Sequence, residues 1–445
     1  MLRFLLLLFL IAPAAAQDAP TETPRNVVLF IADGFGPASA TMARDFSGAP
    51  LALDGILVGS VSTASTDSRV TDSAAGATAY ASGIKTYNGA IGMDTLHQPA
   101  GTILEAAEAR GMPTGLVATY RITHATPAAF AAHVPERGME HEIAAQMAGA
   151  GVDVILGAGH AWFRPEAEGG TRTDGRDLLA ENEARGVTVV TDVAGFEGIA
   201  AAPVLALLTP DHLAYEIDRT DEPSLAEMTR KALDLLRSAE GAAEHGFFLM
   251  VEASRPDHAA HDNDPAAHVH DVLAYDAAVR AALDFAEADG RTLVVATADH
   301  ETGGMTLGRD GVYGWNPAYL RRVTASAERM GRLIADGAEP EAVLREHAAV
   351  DSLTAEERGA LGLADDREPR RVSNRVLAHL VSRRALVGWT TGAHTAVDVG
   401  LYAFGPGAER FGGVMENDAV GRALADVLGL DLAPVTARLR GADAP

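Results

Sequence analysis

Asn26-Val27-Val28-Leu29-Phe30-Ile31-Ala32-Asp33-Gly34-Phe35-Gly36 opens the patterned part of the chain. Val27 to Ala32 is a continuous apolar run with no alternation between faces, which predicts a strand covered on both sides rather than one half-open to water. It stops at an aspartate and a glycine turn. Three more runs have the same form: Leu116-Val117-Ala118 before Thr119, Phe247 to Val251 before Glu252, and Thr292 to Ala298 before Asp299-His300. Helical patterns lie between them, at Ile103 to Arg110, Leu225 to Ala239 and Val272 to Ala288. This alternation predicts an α/β fold with a large, mostly parallel central sheet and helices on both faces. Ligands of such sheets bind beyond the carboxyl ends of the strands, where Asp33, Glu252, Asp299 and His300 are expected to gather.

Before this core, Met1-Leu2-Arg3, the apolar run Phe4 to Ile11 and Pro13-Ala14-Ala15-Ala16 have the form of a secretory signal over 1–16, too short to span a bilayer. A polar, flexible lead-in follows over 17–25. The signal predicts a periplasmic or secreted protein without a membrane partner. Val152 to Leu156 is expected to be another strand and Arg164 to Asp177 a surface loop. From Tyr313 to Thr391 the pattern turns to charged helices, at Ala325 to Asp336, Pro340 to His347, Ala355 to Leu361 and Arg371 to Arg384. The segment 313–391 therefore reads as a helical cap inserted into a catalytic domain made of 26–312 and 392–445. Strand character resumes at Val397 to Phe404, and a terminal helix is expected at Asn417 to Leu428.

Composition narrows the chemistry. The 445 residues are 47% hydrophobic and 22% charged, as in an ordinary globular protein with a large core. The formal net charge of −25 argues against nucleic acid as the main partner. It leaves room for a small anion, because a bound cation inverts the local field. There is no cysteine, so any metal must be held by His, Asp, Glu, hydroxyls or water.

The stretch Val70-Thr71-Asp72-Ser73-Ala74-Ala75-Gly76-Ala77-Thr78-Ala79-Tyr80 places one serine ahead of a run of small residues. A helix starting there would leave unpaired N–H groups and partial positive charge beside the Ser73 hydroxyl, a setting for a nucleophile and an anion. Taken alone, the same residues could equally cap a buried Ala-rich helix. Asp257 and His261 are four apart, one helical turn, which suits a carboxylate–imidazole pair on one metal. Asp299-His300 follows a strongly apolar run, and two adjacent coordinating residues there are hard to explain as packing. His394, in a glycine-containing turn, adds an imidazole from far along the chain.

Together these residues resemble the alkaline phosphatase family. Asp33 in Ala-Asp-Gly-Phe-Gly, Asp72-Ser73-Ala74-Ala75, His124-Ala125-Thr126-Pro127 with Arg137, Glu252 through His261, Asp299-His300 and His394 occur in the family's order and at its local spacings, from about Asn26 to Leu428. The resemblance implies metal-dependent hydrolysis of small-molecule phosphate monoesters through a phosphoserine on Ser73, with two Zn2+ and one Mg2+. Asp257, His261 and His394 would hold one zinc; Asp33, Asp299 and His300 the second; Asp33, Thr126 and Glu252 the magnesium. Arg137 would clamp the phosphate, a role suited to a planar guanidinium. Family members are often homodimers, so a homodimer is also implied.

His124 and His258 stand where enterobacterial members carry an acid and a lysine and where animal members carry histidines. They would either tune the magnesium site or bind a further zinc, or act as donors that hold waters and ligands in place. His268 and His270 are expected to be exposed or packing residues, and Tyr313, Trp315 and Trp389 to pack under the cap. A phosphodiesterase of the same superfamily is the alternative activity, but usually has threonine as nucleophile and lacks the Arg137 clamp and third-metal set. A non-catalytic phosphate- or metal-binding protein is the alternative from another class.

Overall fold

The computed structural model describes residues 23–363 and 372–441. The expected signal over 1–16 and residues 17–22 of the lead-in lie outside the described residues, as does Arg371 at the start of an expected helix. In chain order the strands are β1 (Asn26–Ala32), β2 (Leu57–Ser62), β3 (Thr114–Arg121), β4 (Val154–Ala158), β5 (Thr188–Val190), β6 (Val204–Leu207) and β7 (Phe248–Ala253). They continue with β8 (Thr292–Ala298), β9 (Glu301–Thr302), β10 (Met305–Leu307), β11 (Val387–Trp389), β12 (His394–Thr395), β13 (Val399–Phe404) and β14 (Gly413–Glu416).

Ten of these form one sheet in the order β14-β2-β13-β8-β1-β7-β3-β4-β6-β5. β1 lies at its middle, wholly buried, with β7 and β8 parallel on either side. The uninterrupted apolar run of β1 follows from this position, since helices cover the sheet and no face is left to water. Each fully buried Val, Leu, Ile or Phe there contributes roughly 1.5–3 kcal/mol of transfer free energy. The register sets Ile31 opposite Glu252, and Ala32 opposite both Ala253 and Ala298. The residues that follow Ala32 and Ala298, Asp33 and Asp299, are therefore level with each other and two residues beyond Glu252, at the same end of the sheet.

β13 runs antiparallel to both of its neighbours, whereas every other pairing in the large sheet is parallel. β2, β5, β6 and β14 carry no signal comparable to β1. β2 and β14 lie toward an edge of the sheet, where Leu57 and Val414 are 59% and 74% exposed and no continuous apolar run is needed, while β5 is a three-residue edge strand and β6, though buried and apolar, is only four residues long. The stretch 164–177 is less open than its polarity suggests: Arg172 is buried and donates to the carbonyls of His141 and Trp162.

The helical insert contains helices Pro317–Leu320, Ala327–Ala335, Pro340–His347, Ala355–Ala360 and Asn374–Ala385. Its neck is an antiparallel ribbon, β10 against β11, so it leaves and rejoins the main body at 305–307 and 387–389. Trp315 donates to Asp45 and Trp389 to Ser382, both packing roles, while Tyr313 is fully exposed. Among the described residues no helix is long and apolar enough to cross a membrane.

Candidate active site

The helix predicted at Ser73 runs from Ser73 to Ser82, with Asp72 as its N-cap accepting from the Ala75 N–H at 3.0 Å. Every residue of it is buried, which accounts for its run of Ala and Gly. Ser73 occupies the first helical position, beside the free N–H groups of the helix start. Its Oγ lies 3.2 Å from His300 Nε2 and 3.5 Å from Asp33 Oδ2.

The predicted zinc ligands converge into two groups, Asp257, His261 and His394, and Asp33, Asp299 and His300; Asp33 and Glu252, expected at the magnesium, form a third group with His124, which was not among the ligands expected there. Asp257 and His261 share one face of the helix Arg255–His261, and His261 Nε2 lies 3.2 Å from Asp257 Oδ2. His394 arrives on β12, paired with β9, which directly follows His300. Its Nε2 is 3.2 Å from His261 Nε2, and its ring stacks on that of His300 at 3.5 Å. Gly34 makes this packing possible: φ is +74°, and a Cβ there would lie 2.6 Å from the Asp257 Cα. Thr126, in the helix Ala125–Ala131, is fully buried.

The electrostatics of this cluster favour cations. Burial, joined by the charges of Asp299, Asp257 and Glu252, holds Asp33 well above the ordinary carboxylate range. Burial pushes Glu252 up to about 7 and Asp299 up to about 8. For Asp257 burial works in the same direction, but the hydrogen bond and charge of His261 outweigh it and hold the carboxyl below its ordinary value. His261 is penalised by burial yet pushed up to about 9 by the same contact. The Asp257–His261 pair thus favours a positive charge beside the carboxylate. Among the described residues, Asp33 Oδ1, Asp299 Oδ2, Glu252 Oε1 and Thr126 Oγ1 are buried without a hydrogen-bond partner. Unpaired buried oxygens from three carboxylates and a hydroxyl are a donor set for hard cations and zinc, so the residues fit such ions.

Arg137 lies beside this cluster. It donates through Nη1 to Asp72 Oδ2 at 3.1 Å and through Nη2 to His124 Nε2 at 3.0 Å. A guanidinium has no acceptor, so His124 must receive that bond and keep its proton on Nδ1. Burial and the Arg137 charge hold His124 well below its ordinary pKa. His258 turns to Tyr120, whose hydroxyl is 2.6 Å from its Nε2. His268 is a packing residue, buried between the Pro256 carbonyl and Ser39.

Sequence reasoning treated Asp72 only as a cap and did not single out Ser254 or Thr302. Ser254 donates to Glu252 Oε2 at 2.6 Å, and Thr302 donates to Asp257 Oδ1 at 2.6 Å. Both hydroxyls stand two residues from a predicted ligand at a strand end, the one signal that could have marked them.

Comparison with known proteins agrees with this geometry. The sequence model of the alkaline phosphatase family matches residues 24–430. The chain is 39% identical to the repressible alkaline phosphatase of Saccharomyces cerevisiae, over 96% of this chain and 85% of that protein. It superposes on the crystal structure of the cold-active alkaline phosphatase of Shewanella sp. with a TM-score of 0.82 and 33% identity, over 91% of this chain and 99% of that one. It is also similar to a variant of the alkaline phosphatase of the Antarctic bacterium TAB5 solved with magnesium bound in its M3 site, at 28% identity and a TM-score of 0.69 over 92% and 99% of the two chains. With a family match across nearly the whole of 26–441 and relatives aligned over most of their length, the chain belongs to the alkaline phosphatase family, enzymes that hydrolyse phosphoric monoesters.

Proposed function

We propose that the chain hydrolyses small-molecule phosphate monoesters to an alcohol and inorganic phosphate through a phosphoserine on Ser73, with two zinc ions and one magnesium as cofactors. The observation that carries this reading is the position of Ser73 Oγ, 3.2 Å from His300 Nε2 at the rim of two groups of three ligands each. Asp257, His261 and His394 would hold one zinc, Asp33, Asp299 and His300 the other, and Asp33, Thr126 and Glu252 the magnesium. Bound there, such ions lower the pKa of a hydroxyl or water and neutralise charge on the attacking and leaving oxygens of an in-line displacement. The magnesium assignment draws support from the ion in the M3 site of the TAB5 enzyme variant.

In this mechanism Ser73 loses its hydroxyl proton to solvent and attacks phosphorus, and the ester oxygen departs as the alcohol after protonation by water. The helix start orients Ser73 and offers N–H groups to the phosphoryl oxygens. Arg137 supplies two parallel donors to the same oxygens, held ready by Asp72 and His124. Water then attacks the phosphoserine from the vacated side and releases phosphate. We assign His124 to orienting Arg137, and His258, bonded to Tyr120, to holding the wall of the site, rather than to ligation. The segments 26–312 and 392–445 make up the catalytic unit and 313–391 the helical insert, in a protein exported to the periplasm or medium.

The test is hydrolysis of a chromogenic aryl phosphate monoester and its diester by metal-loaded protein, beside Ser73→Ala and a chelator-treated sample. Monoester turnover that collapses in both controls, with slow diester turnover, is the expected result. Faster diester than monoester turnover would move the assignment to a phosphodiesterase, and no turnover with zinc bound would move it to a binding protein.

A further inference from the structure

We propose that Thr302 is a positioning residue that couples the two zinc sites, through one hydroxyl shared between Asp257 and His300. The inference rests on the two-zinc reading above. Thr302 is buried, and its Oγ1 lies 2.6 Å from Asp257 Oδ1 and 3.2 Å from His300 Nδ1. Asp257 belongs to one ligand group and His300 to the other. The backbone of Thr302 pairs with that of His394, a third ligand, in the two-residue strands β9 and β12.

The direction of these bonds follows from what each group can do. An ionised carboxylate only accepts, so the Thr302 proton points to Asp257. The hydroxyl lone pairs then face His300 and receive its Nδ1–H. That fixes the His300 tautomer and leaves Nε2, with its lone pair, toward Ser73, Asp33 and Asp299. His261 and His394 are fixed differently, each donating Nδ1–H to a backbone carbonyl, Gly392 at 2.8 Å and Thr71 at 2.9 Å. Backbone carbonyls accept whatever the state of the site. Only His300 depends on a hydroxyl whose polarity is set by a ligand of the other metal. Asp257 and His300 are thereby held in one arrangement, and loss of the hydroxyl frees both.

The experiment compares wild type, Thr302→Val and Thr302→Ser. Zinc stoichiometry and affinity are measured by equilibrium competition with a chromogenic chelator, independently of turnover, and kcat and KM are measured on an aryl phosphate. Removal of a hydrogen bond to a ligand of this kind costs about 10–100-fold in metal affinity or rate. Thr302→Val should weaken both zinc ions by about that factor and lower kcat with KM nearly unchanged, while Thr302→Ser stays within about threefold of wild type. If Thr302→Val fails to fold, the comparison passes to Thr302→Ser and Thr302→Ala, with folding checked by circular dichroism. Weakening of one zinc alone, or equal behaviour of the hydroxyl-bearing and hydroxyl-free variants, overturns the coupling and leaves Thr302 a packing residue. Failure of wild type itself to bind two zinc ions overturns the two-zinc reading instead, a result visible before any variant is compared.

Discussion

Ser73 Oγ and His300 Nε2 stand 3.2 Å apart, joining the first turn of a helix to the carboxyl end of a central strand 227 residues further along the chain. That contact puts the candidate nucleophile against the candidate metal ligands with no loop between them. Ser73→Ala should lower monoester turnover by roughly 10³-fold or more, because the covalent step is lost while the ligands remain. The fold should survive. The hydroxyl removed is one buried hydrogen-bonding group, worth about 1 kcal/mol, so thermal unfolding should shift by only a few degrees. A variant that keeps more than a tenth of wild-type turnover would assign the nucleophile elsewhere.

Gly34 is a second point at which sequence and site geometry meet. At φ +74° a Cβ costs strain, and here it would also lie 2.6 Å from the Asp257 Cα, a backbone atom that has no rotamer with which to retreat. Gly34→Ala is therefore expected to push apart β1 and the helix Arg255–His261, and with them Asp33 and Asp257. Zinc measured after dialysis should fall below that of wild type, and turnover should drop at least tenfold. Retention of full zinc and activity would show that the helix can slide, contrary to this packing.

The central strands and the grouping of most candidate ligands were legible in the sequence because each reports a strong local demand. β1, β7 and β8 are buried on both faces and are apolar over most of their length, so the carboxylates at or just beyond their carboxyl ends stand out. β2 and β14 were not legible because their partly open faces allow Gly and Ser within them, and β5 and β6 because three and four residues are too few to set up a pattern. The partners of Asp72 and Thr302 were not legible for another reason. Both residues act through a partner distant in sequence, Arg137 and Asp257, and neither spacing nor hydropathy records which hydroxyl or carboxylate a remote donor will meet. The antiparallel sense of β13 likewise follows from the chain path, which leaves β8 and enters β13 at the same end of the sheet through the paired ribbons β9–β12 and β10–β11.

One turn by which the insert meets the helix of candidate ligands lies at Asn263. Asn263 has φ +57°, a conformation Asn tolerates better than most residues, and its side chain donates to the carbonyls of Ala260 and Thr391 at 2.9 Å each. The insert helix Asn374–Ala385 grips the same turn, with Arg375 donating to the His261 carbonyl and Ser382 to that of Asn263. Asn263→Ala loses both amide bonds and strains the backbone, for about 2–4 kcal/mol by urea unfolding. Asn263→Gly relieves the strain alone and should recover about 1 kcal/mol of it. Both variants should also bind zinc more weakly, since Thr391 leads directly to His394. Unfolding free energies within 0.5 kcal/mol of wild type, taken as roughly the noise of surface substitutions, would show that the turn does not depend on Asn263.

His133 carries a pH dependence separate from the metal ligands. Its Nδ1 lies 2.8 Å from the Gly92 carbonyl and its Nε2 2.9 Å from Glu105 Oε1, so both nitrogens face acceptors and the ring is held as the imidazolium. Burial opposes that charge, but the hydrogen bond and charge of Glu105, with the Gly92 carbonyl, raise the pKa above its ordinary value. The native state therefore binds this proton more tightly than the unfolded chain. The stabilisation is fully present below the unfolded pKa of about 6.5 and is lost as pH rises through the raised folded value. Glu105→Gln retains the capping box with Thr102 while removing the anion. At pH 5.5 the variant should be less stable than wild type by about 1–2 kcal/mol, the worth of a charge-assisted bond with both partners mostly buried. Measured again at pH 9, the difference should shrink as the ring loses its second proton, and with it the charge that Glu105 meets, and can donate to only one of its two acceptors. Urea unfolding at the two pH values checks the sign, and a difference that stays constant between them would mean that His133 is neutral in the native state throughout.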